Sequence, residues 1–274
     1  MPLSILSSFQ SESLVTDHRH FDRSPVFRPH IHNAWELLYL TKGEASYTVE
    51  GKTYPLHKGS LVLTRPLKVH CITFPAETEY RRYDILFDEA VLSTEICRTL
   101  PSRLDVIHFT AGSVISDLFR KTDYYCSQLS GELLQTVLIH LTEEILFNVL
   151  IAAREAQEHS SYTTNPLVNQ AVKYIDRHLT ESLTVGDICR ELHITQSYLL
   201  HLFVQNLNIS PKQYILSKRL AMAQMALRSG ARPTDVCRQC GFSDYSTFFR
   251  AYKNHYGHSP SGETDLQALR ILDS

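Results

Sequence analysis

Two places in this chain of 274 residues hold side chains whose types and spacing suit chemistry. The first is His30-x-His32, followed by Glu36 and, further on, His70. Three imidazoles and a carboxylate suit Fe(II), Mn(II), Ni(II) or Zn(II). The same four groups without a metal suit a pocket that hydrogen-bonds a polar ligand. The second place reads CRQCGFSD, residues 237–244. Its C-x-x-C is half of a zinc site or a redox pair, and its Gly-Phe-Ser is the turn of a helical DNA-binding motif. No second pair supplies the other two ligands of a structural zinc. Six cysteines in a chain of this length fit free thiols in a reducing cytoplasm rather than a disulfide framework. Cys237 and Cys240 then read as small buried apolar residues.

The elements that position these groups follow two different patterns. Hydrophobic residues make up 43% of the chain and charged residues 20%, which suits a soluble globular fold of one large or two ordinary domains. No apolar run approaches the roughly 18 residues that span a bilayer, and the N-terminus does not read as a signal peptide, so a cytoplasmic protein with no membrane partner is expected. Residues 1–159 carry 15 Lys/Arg against 20 Asp/Glu, whereas residues 160–274 carry 12 against 9 and five histidines. A polyanion partner is therefore expected on the C-terminal part. In the first hundred residues, WELLYLT, ASYTVE, GSLVLTR, VHCITF and YRRYDILF are rich in β-branched and aromatic residues and separated by turn signals, which predicts an antiparallel sandwich or barrel. Alternation along the first puts Glu36, Leu38 and Leu40 on one face and Trp35, Leu37 and Tyr39 on the other, without deciding which face meets a pocket.

The period then changes. Residues 113–129 and 132–157 predict helices, the second with an apolar stripe of Leu134, Val137, Leu138, Leu141, Ile145, Leu146, Val149 and Leu150. The stripe serves the domain's own sheet, or in part the same helix of a second copy. Residues 155–166 are polar and aperiodic and read as a linker. Everything beyond is helical in pattern, and one unit occurs twice: residues 185–214 align with residues 233–262. Ile188-Cys189 matches Val236-Cys237, His193-Ile194 matches Gly241-Phe242, and Ser210-Pro211 matches Ser259-Pro260. Leu199 matches Thr247 or Phe248, and Phe203 matches Tyr252, depending on a one-residue gap. Each unit is a short helix, a tight turn, a second helix and a Ser-Pro helix start, which is a helix-turn-helix. A connecting helix of about 19 residues spans roughly 28 Å. That length holds two recognition helices near the 34 Å between successive major-groove faces.

Residues 167–262 resemble the DNA-binding domain of the AraC/XylS family of bacterial transcription regulators. The residues that carry the resemblance are Val236-Cys237, Gly241-Phe242-Ser243, Phe248 or Phe249, Tyr252-Lys253, Gly257 and Ser259-Pro260. The His30-x-His32…Glu36…Gly43 spacing and the Gly59–His70 region resemble the two motifs of a cupin barrel. Together these imply a multi-domain protein: an N-terminal all-β cupin-like barrel with following helices, and a C-terminal all-α domain with two helix-turn-helix units. The expected boundaries are a sensor and dimerisation domain over 1–155, a linker over 156–166 and a DNA-binding domain over 167–274, with units at about 184–206 and 233–254. The resemblance implies double-stranded DNA contacts from Gln196, Ser197, Tyr198, Leu200 and His201 in the first unit and Tyr245, Ser246, Thr247, Arg250 and Lys253 in the second. Arg250 suits guanine O6 and N7 or a phosphate. His201 and Val204 stand where family members often carry Arg or a basic residue, and Gly262-Glu263 where they often carry an aromatic-Arg pair.

The resemblance also implies a small polar effector, a sugar or related metabolite, held by Arg28, His30, His32, Glu36, Tyr39 and His70. No cofactor, no metal and no catalytic residues are expected, although His30, His32, Glu36 and His70 form the alternative metal set. The implied partners are RNA polymerase and a second copy of the chain, and activation is the family tendency. The alternative is a metal-dependent cupin enzyme fused to a DNA-binding module. Because Cys237 reads as an apolar core residue, Cys237→Ala is expected to leave DNA binding intact in a gel-shift assay; loss of binding by the folded variant would restore a functional role for the thiol.

Overall fold

Short strands with buried residues on both faces build the first half of the protein as two antiparallel sheets. The computed structural model describes residues 3–110, 112–155 and 162–263. The strands are β1 (Leu3–Gln10), β2 (Leu14–Phe21), β3 (Trp35–Lys42), β4 (Ala45–Val49), β5 (Lys52–Leu56), β6 (Ser60–Thr64), β7 (His70–Thr73), β8 (Tyr80–Phe87), β9 (Val106–His108) and β10 (Thr163–Thr164). One sheet runs β1-β2-β8-β3-β6-β9 and the other β10-β5-β4-β7. Leu38, Leu40 and Val62 of the first meet Tyr47, Val49 and Ile72 of the second in a common core. The far face of the six-stranded sheet, with Leu37, Tyr39, Leu63, Tyr83 and Ile85, packs under the helices that follow. This settles the two faces of β3. Glu36 and Leu38 face the space between the sheets, whereas Trp35, Leu37 and Tyr39 face the helices.

Five strands lie outside the sequence expectation: β1, β2, β5, β9 and β10. β1 mixes apolar residues with serines at an exposed sheet edge, and β2 buries Asp17, His18 and Arg19, so neither carries the apolar run that marks a buried strand. β5 contains Pro55, which lacks an N–H for the ladder. It is tolerated because β10 pairs only with Lys52 and Thr53, which leaves the Pro55 side of the edge open. β10 itself belongs to the stretch expected as linker; residues 156–161 of that stretch lie outside the described residues.

Helices α1 (Ile96–Thr99), α2 (Val114–Gln128) and α3 (Gly131–Glu155) complete this half. By length and composition α3 is apolar enough to cross a membrane, contrary to the expectation from the sequence. It is instead a core helix. Leu134, Leu138, Leu141, Ile145, Leu146, Val149 and Leu150 all pack into the cluster beneath the six-stranded sheet. Its buried Glu143 accepts hydrogen bonds from Ser93 and from the Thr94 hydroxyl and N–H at 2.8–3.1 Å. The predicted stripe is thus consumed by the domain's own core.

The second half is helical: α4 (Pro166–His178), α5 (Val185–Leu192), α6 (Gln196–Leu207), α7 (Pro211–Arg228), α8 (Pro233–Gln239) and α9 (Tyr245–Tyr256). Local chemistry fixes each start. Asn165 caps α4 ahead of Pro166, and Thr184 with Asp187 and Ser210 with Gln213 form capping boxes on α5 and α7. Thr195 caps α6 and Asp244 caps α9. Counting from those two caps removes the ambiguity in the repeat. Leu199 matches Phe248, Phe203 matches Tyr252, Asn208 matches Gly257, and Ser210 matches Ser259. The one-residue gap falls between Gly241 and Asp244, and Ser243 is the extra residue. Before each gap the chain passes through the left-handed region, at His193 (φ 53°) and at Gly241 (φ 77°).

The two halves dock through a buried polar node. Glu50, in the β4–β5 turn, accepts the Val69 N–H at 2.8 Å, the Tyr214 hydroxyl at 2.9 Å and the Lys218 ammonium at 3.1 Å. Lys218, on α7, also reaches Asp176 on α4 at 3.0 Å and the Leu67 carbonyl at 3.1 Å. Around this node Ile31 and Val69 of the barrel are buried in the same cluster as Val168, Val172, Phe203 and Tyr214 of the helical half.

Gly241 and Gly257 both sit at positive φ, yet they differ in surroundings. A Cβ at Gly241 would lie 2.8 Å from the Leu179 carbonyl oxygen and 3.0 Å from the Thr180 carbonyl carbon, whereas one at Gly257 would meet nothing within 4 Å. Gly257→Ala is therefore expected to cost about 1 kcal/mol from backbone strain alone. Gly241→Ala adds a backbone clash and is expected to cost about 2–3 kcal/mol. Urea denaturation of the two variants checks the order, and equal losses would contradict it.

Candidate functional site

Ten side chains were expected to read DNA, and the described surface leaves all of them accessible. Gln196, Ser197, Tyr198, Leu200 and His201 are exposed along α6, and Tyr245, Ser246, Thr247, Arg250 and Lys253 along α9. The opposite sides of the two helices are core: Leu199, Leu202 and Phe203 in one, Phe248 and Tyr252 in the other. Each helix thus shows a buried stripe inward and an exposed stripe outward, mostly polar on α9 and partly apolar on α6 through Leu200 and Val204, so each is anchored while free to enter a groove. The Thr247 hydroxyl donates to Asp244 at 2.7 Å, so it serves the helix cap as well as the surface. Arg250 Nε makes a long bond to the Ser246 carbonyl oxygen at 3.4 Å and its charge is felt by Asp244, and its side chain is exposed.

Glu263 stands where an aromatic-Arg pair was noted as the family habit, and it turns inward. Its buried carboxylate accepts from the Tyr252 hydroxyl and from Arg228 Nε, at 2.8 Å for the latter, and lies 3.3 Å from His258 Nε2. It fixes the end of the second unit rather than meeting a phosphate. Cys237 and Cys240 are buried with Val236, Phe242 and Phe248, and burial pushes the Cys240 thiol up to about 11. A protonated thiol is a poor metal ligand and a poor nucleophile.

The barrel half brings His30, His32, Glu36 and His70 together. His30 and His70 face each other across a two-way backbone bridge, each N–H donating to the other's carbonyl at 3.0 Å. In all three imidazoles Nδ1 is taken by a backbone carbonyl: Arg28 at 3.0 Å, Ala34 at 3.1 Å and Lys68 at 2.8 Å. With Nδ1 engaged by a carbonyl, Nε2 is the nitrogen left on each ring for a further partner, and His32 uses its own on Glu36. Glu36 Oε2 lies 3.3 Å from His32 Nε2 and 3.1 Å from His70 Nε2. The second is a close charge contact on a buried imidazole rather than a well-aligned hydrogen bond. Burial, then the neighbouring His70, pushes the His30 imidazole down to about 3. Burial alone would raise Glu36, but His70 and the bond from His32 outweigh it and hold the carboxyl well below its ordinary value.

The space these groups enclose measures about 30 Å³ and is completed by Phe27, Leu38, Tyr47, Ile72, Arg82, Asp84 and Leu86. Two residues expected here are elsewhere. Tyr39 lies on the opposite face of β3, stacked on Phe119 at 4.9 Å, because alternation sends it away from Glu36. Arg28 is exposed beside Pro29 at the cleft against α7 and α9, and only its carbonyl serves the pocket, by orienting His30. Arg82 and Asp84, paired at 2.9 Å, are pocket residues that sequence reasoning missed. Their signal was a charged pair inside the otherwise apolar and aromatic strand β8.

Comparison with known proteins agrees with both halves. The AraC-like ligand binding domain matches residues 18–121, and a helix-turn-helix domain matches residues 188–263. The Msm operon regulatory protein of Streptococcus mutans is 37% identical over 105 residues, a stretch covering 38% of this chain and 38% of that protein. The lactose operon transcription activator of Staphylococcus xylosus is 24% identical over 237 residues, covering 82% of this chain and 81% of that protein. An uncharacterized HTH-type transcriptional regulator of Bacillus subtilis is 23% identical over 243 residues, covering 84% and 76%. With a ligand-binding barrel, a doubled helix-turn-helix and relatives that are transcriptional regulators, the chain belongs to the AraC family of DNA-binding transcription regulators.

Proposed function

We propose that this protein reads DNA with α6 and α9 together and adjusts that reading to a ligand held among His30, His32, Glu36 and His70. The observation that carries the reading is the repeat itself. Two 12-residue helices, capped in the same way and anchored by equivalent buried residues, turn every expected contact outward. The 18-residue α7 joins them over about 27 Å, a spacing suited to neighbouring major-groove faces. Arg250 specifies a base or clamps a phosphate, Lys253 holds the backbone, and the hydroxyls of Ser197 and Ser246 add contacts of low sequence preference. Tyr198, Leu200 and His201 give the first unit a less basic face than the second.

The preference for a sugar-sized effector is weakened by the pocket. Small-molecule sites run to roughly 300–1,000 Å³, and the observed 30 Å³ accommodates one water or ion. A sugar would require the barrel to open. The operon regulators among the relatives, one named an activator, support control of a metabolic operon by activation, with RNA polymerase as the protein partner at the promoter. Such a role is exercised in the cytoplasm, where the DNA is.

A second copy of the chain is the expected partner of α3. The stripe buried in its own core is unavailable, but the other side exposes Leu133, Phe147 and Ile151 by 71%, 44% and 53%. Phe147→Glu is expected to shift the protein to monomer in sedimentation without unfolding it. An unchanged dimer would exclude this face.

DNA binding is expected to weaken steeply with salt. Arg250→Ala should lose about 1–3 kcal/mol and relax specificity at one base pair, whereas Lys253→Ala should weaken all sequences alike and lower the salt slope by about 1. Fluorescence anisotropy on DNA fragments enriched by the protein measures both. Wild-type affinity in both variants would place the reading surface elsewhere.

A further inference from the structure

We propose that this protein carries a second ligand site outside the barrel, a cleft between the six-stranded sheet and α2 that binds a small organic phosphate. The cleft measures about 360 Å³, within the roughly 300–1,000 Å³ of small-molecule sites. Its floor is a row of cross-strand neighbours: Tyr39 stands opposite Tyr83, and Tyr83 opposite His18. His18 stacks on Tyr83 with ring centroids 3.8 Å apart, and Tyr39 stacks on Phe119. Strand alternation puts these rings on the face away from Glu36, Arg82 and Asp84, so the sheet separates the cleft from the barrel pocket.

Charge identifies the ligand. Lys58, Arg81 and Arg120 line the cleft, and none of the described residues lining it is acidic. The carboxylates that reach these cations, Asp117 on Arg120 and Glu79 at 3.9 Å from Arg81 Nη2, do not themselves line it. Arg81 stands opposite a register shift in β3 between Leu40 and Lys42, where the Thr41 hydroxyl donates to the Arg81 carbonyl at 3.1 Å. α2 opens on the same cleft through Gly112 and Ser116, and Ser113 gives its first turn no side-chain cap, so N–H groups remain there for an anion. Beneath them His18 is fixed in place. Its Nδ1 lies 2.9 Å from Asp123 Oδ2, and Asp123 also accepts from the Ser7 and Tyr83 hydroxyls. Burial alone would raise Asp123, but these bonds outweigh it and hold the carboxyl below its ordinary value. The His18 side chain is 9% exposed, and its buried Nε2 has no hydrogen-bond partner among the described residues. With Nδ1 on a charged carboxylate, Nε2 is the nitrogen left for a further partner, and an oxyanion seated over the ring supplies one. Three cations favour a dianionic phosphate over a single carboxylate. The aromatic floor suits the organic body that carries it.

Isothermal titration calorimetry of the full chain, without DNA and at matched ionic strength, tests the site with inorganic phosphate, glucose 6-phosphate and glucose as probes. The expected result is saturable binding of one glucose 6-phosphate per chain, about tenfold or more tighter than inorganic phosphate, and no saturable binding of glucose. Lys58→Ala, Arg81→Ala and Arg120→Ala should each weaken binding about tenfold, the loss of one charged hydrogen bond. His18→Gln, checked for folding by circular dichroism, should weaken it as well. Arg98→Ala removes an exposed cation on α1 that does not line the cleft, and should leave binding unchanged. Absence of saturable binding by either phosphate would overturn the site. So would unchanged affinity in the three cleft variants, or an equal loss in Arg98→Ala. Equal affinity for inorganic phosphate and glucose 6-phosphate would overturn the organic ligand, and equal affinity for glucose would overturn the phosphate. Because no DNA is present, each outcome is independent of the regulator reading.

Discussion

A buried ammonium must be surrounded by acceptors, and in this protein those acceptors come from two domains. Lys218 is 5% exposed and sits among Glu50, Asp176 and the Leu67 carbonyl. Burial alone would lower its basicity, but Glu50 and Asp176 outweigh that and hold it charged. Removing one member of such a group strands the rest, at a cost of about 3–5 kcal/mol for a buried pair. The barrel and the helical half therefore cannot separate without solvating Lys218, Glu50 and the apolar residues around them.

That fixed docking gives the barrel its mechanical significance. Ile31 and Val69 alternate with His30 and His70 along extended backbone, so the pocket and the interface are the two sides of the same two segments. The helices proposed to read DNA lie beyond the interface, with α6 contributing Phe203 to the cluster that receives Ile31. The second unit is tied in through Gly241, which packs against the carbonyl groups of Leu179 and Thr180. In the proposed account a ligand in the barrel acts by biasing how the helical half is held, as population shift requires when the two states differ in affinity for the ligand.

Much of this was legible in the sequence, and the failures have physical causes. The doubled helix-turn-helix showed itself because its repeats share capping residues, buried positions and Ser-Pro starts at matched spacing. His30, His32, Glu36 and His70 were legible as a set because polar groups in strand patterns stand out. Tyr39 and Arg28 were not separable from that set, since alternation fixes which residues share a face but not which face meets the pocket. β2 was hidden by buried charges such as Asp17 and Arg19, which imitate a surface, and β1 by its serines and exposed edge position. Glu50 gave no signal of its own; its role depends on Lys218, distant in sequence, and no local pattern announces such a pairing. Cys237 and Cys240, the most conspicuous pair by spacing, proved to be core.

The central claim is that pocket and DNA-binding half move as one through the Glu50 node. Hydrogen–deuterium exchange of the full chain, compared between the wild type and Glu50→Gln, tests it most directly. The account predicts that protection changes together in residues 28–32, in residues 67–70 and in the first turns of α7. Changes confined to residues 28–32 and 67–70, with α7 unaltered, would contradict it.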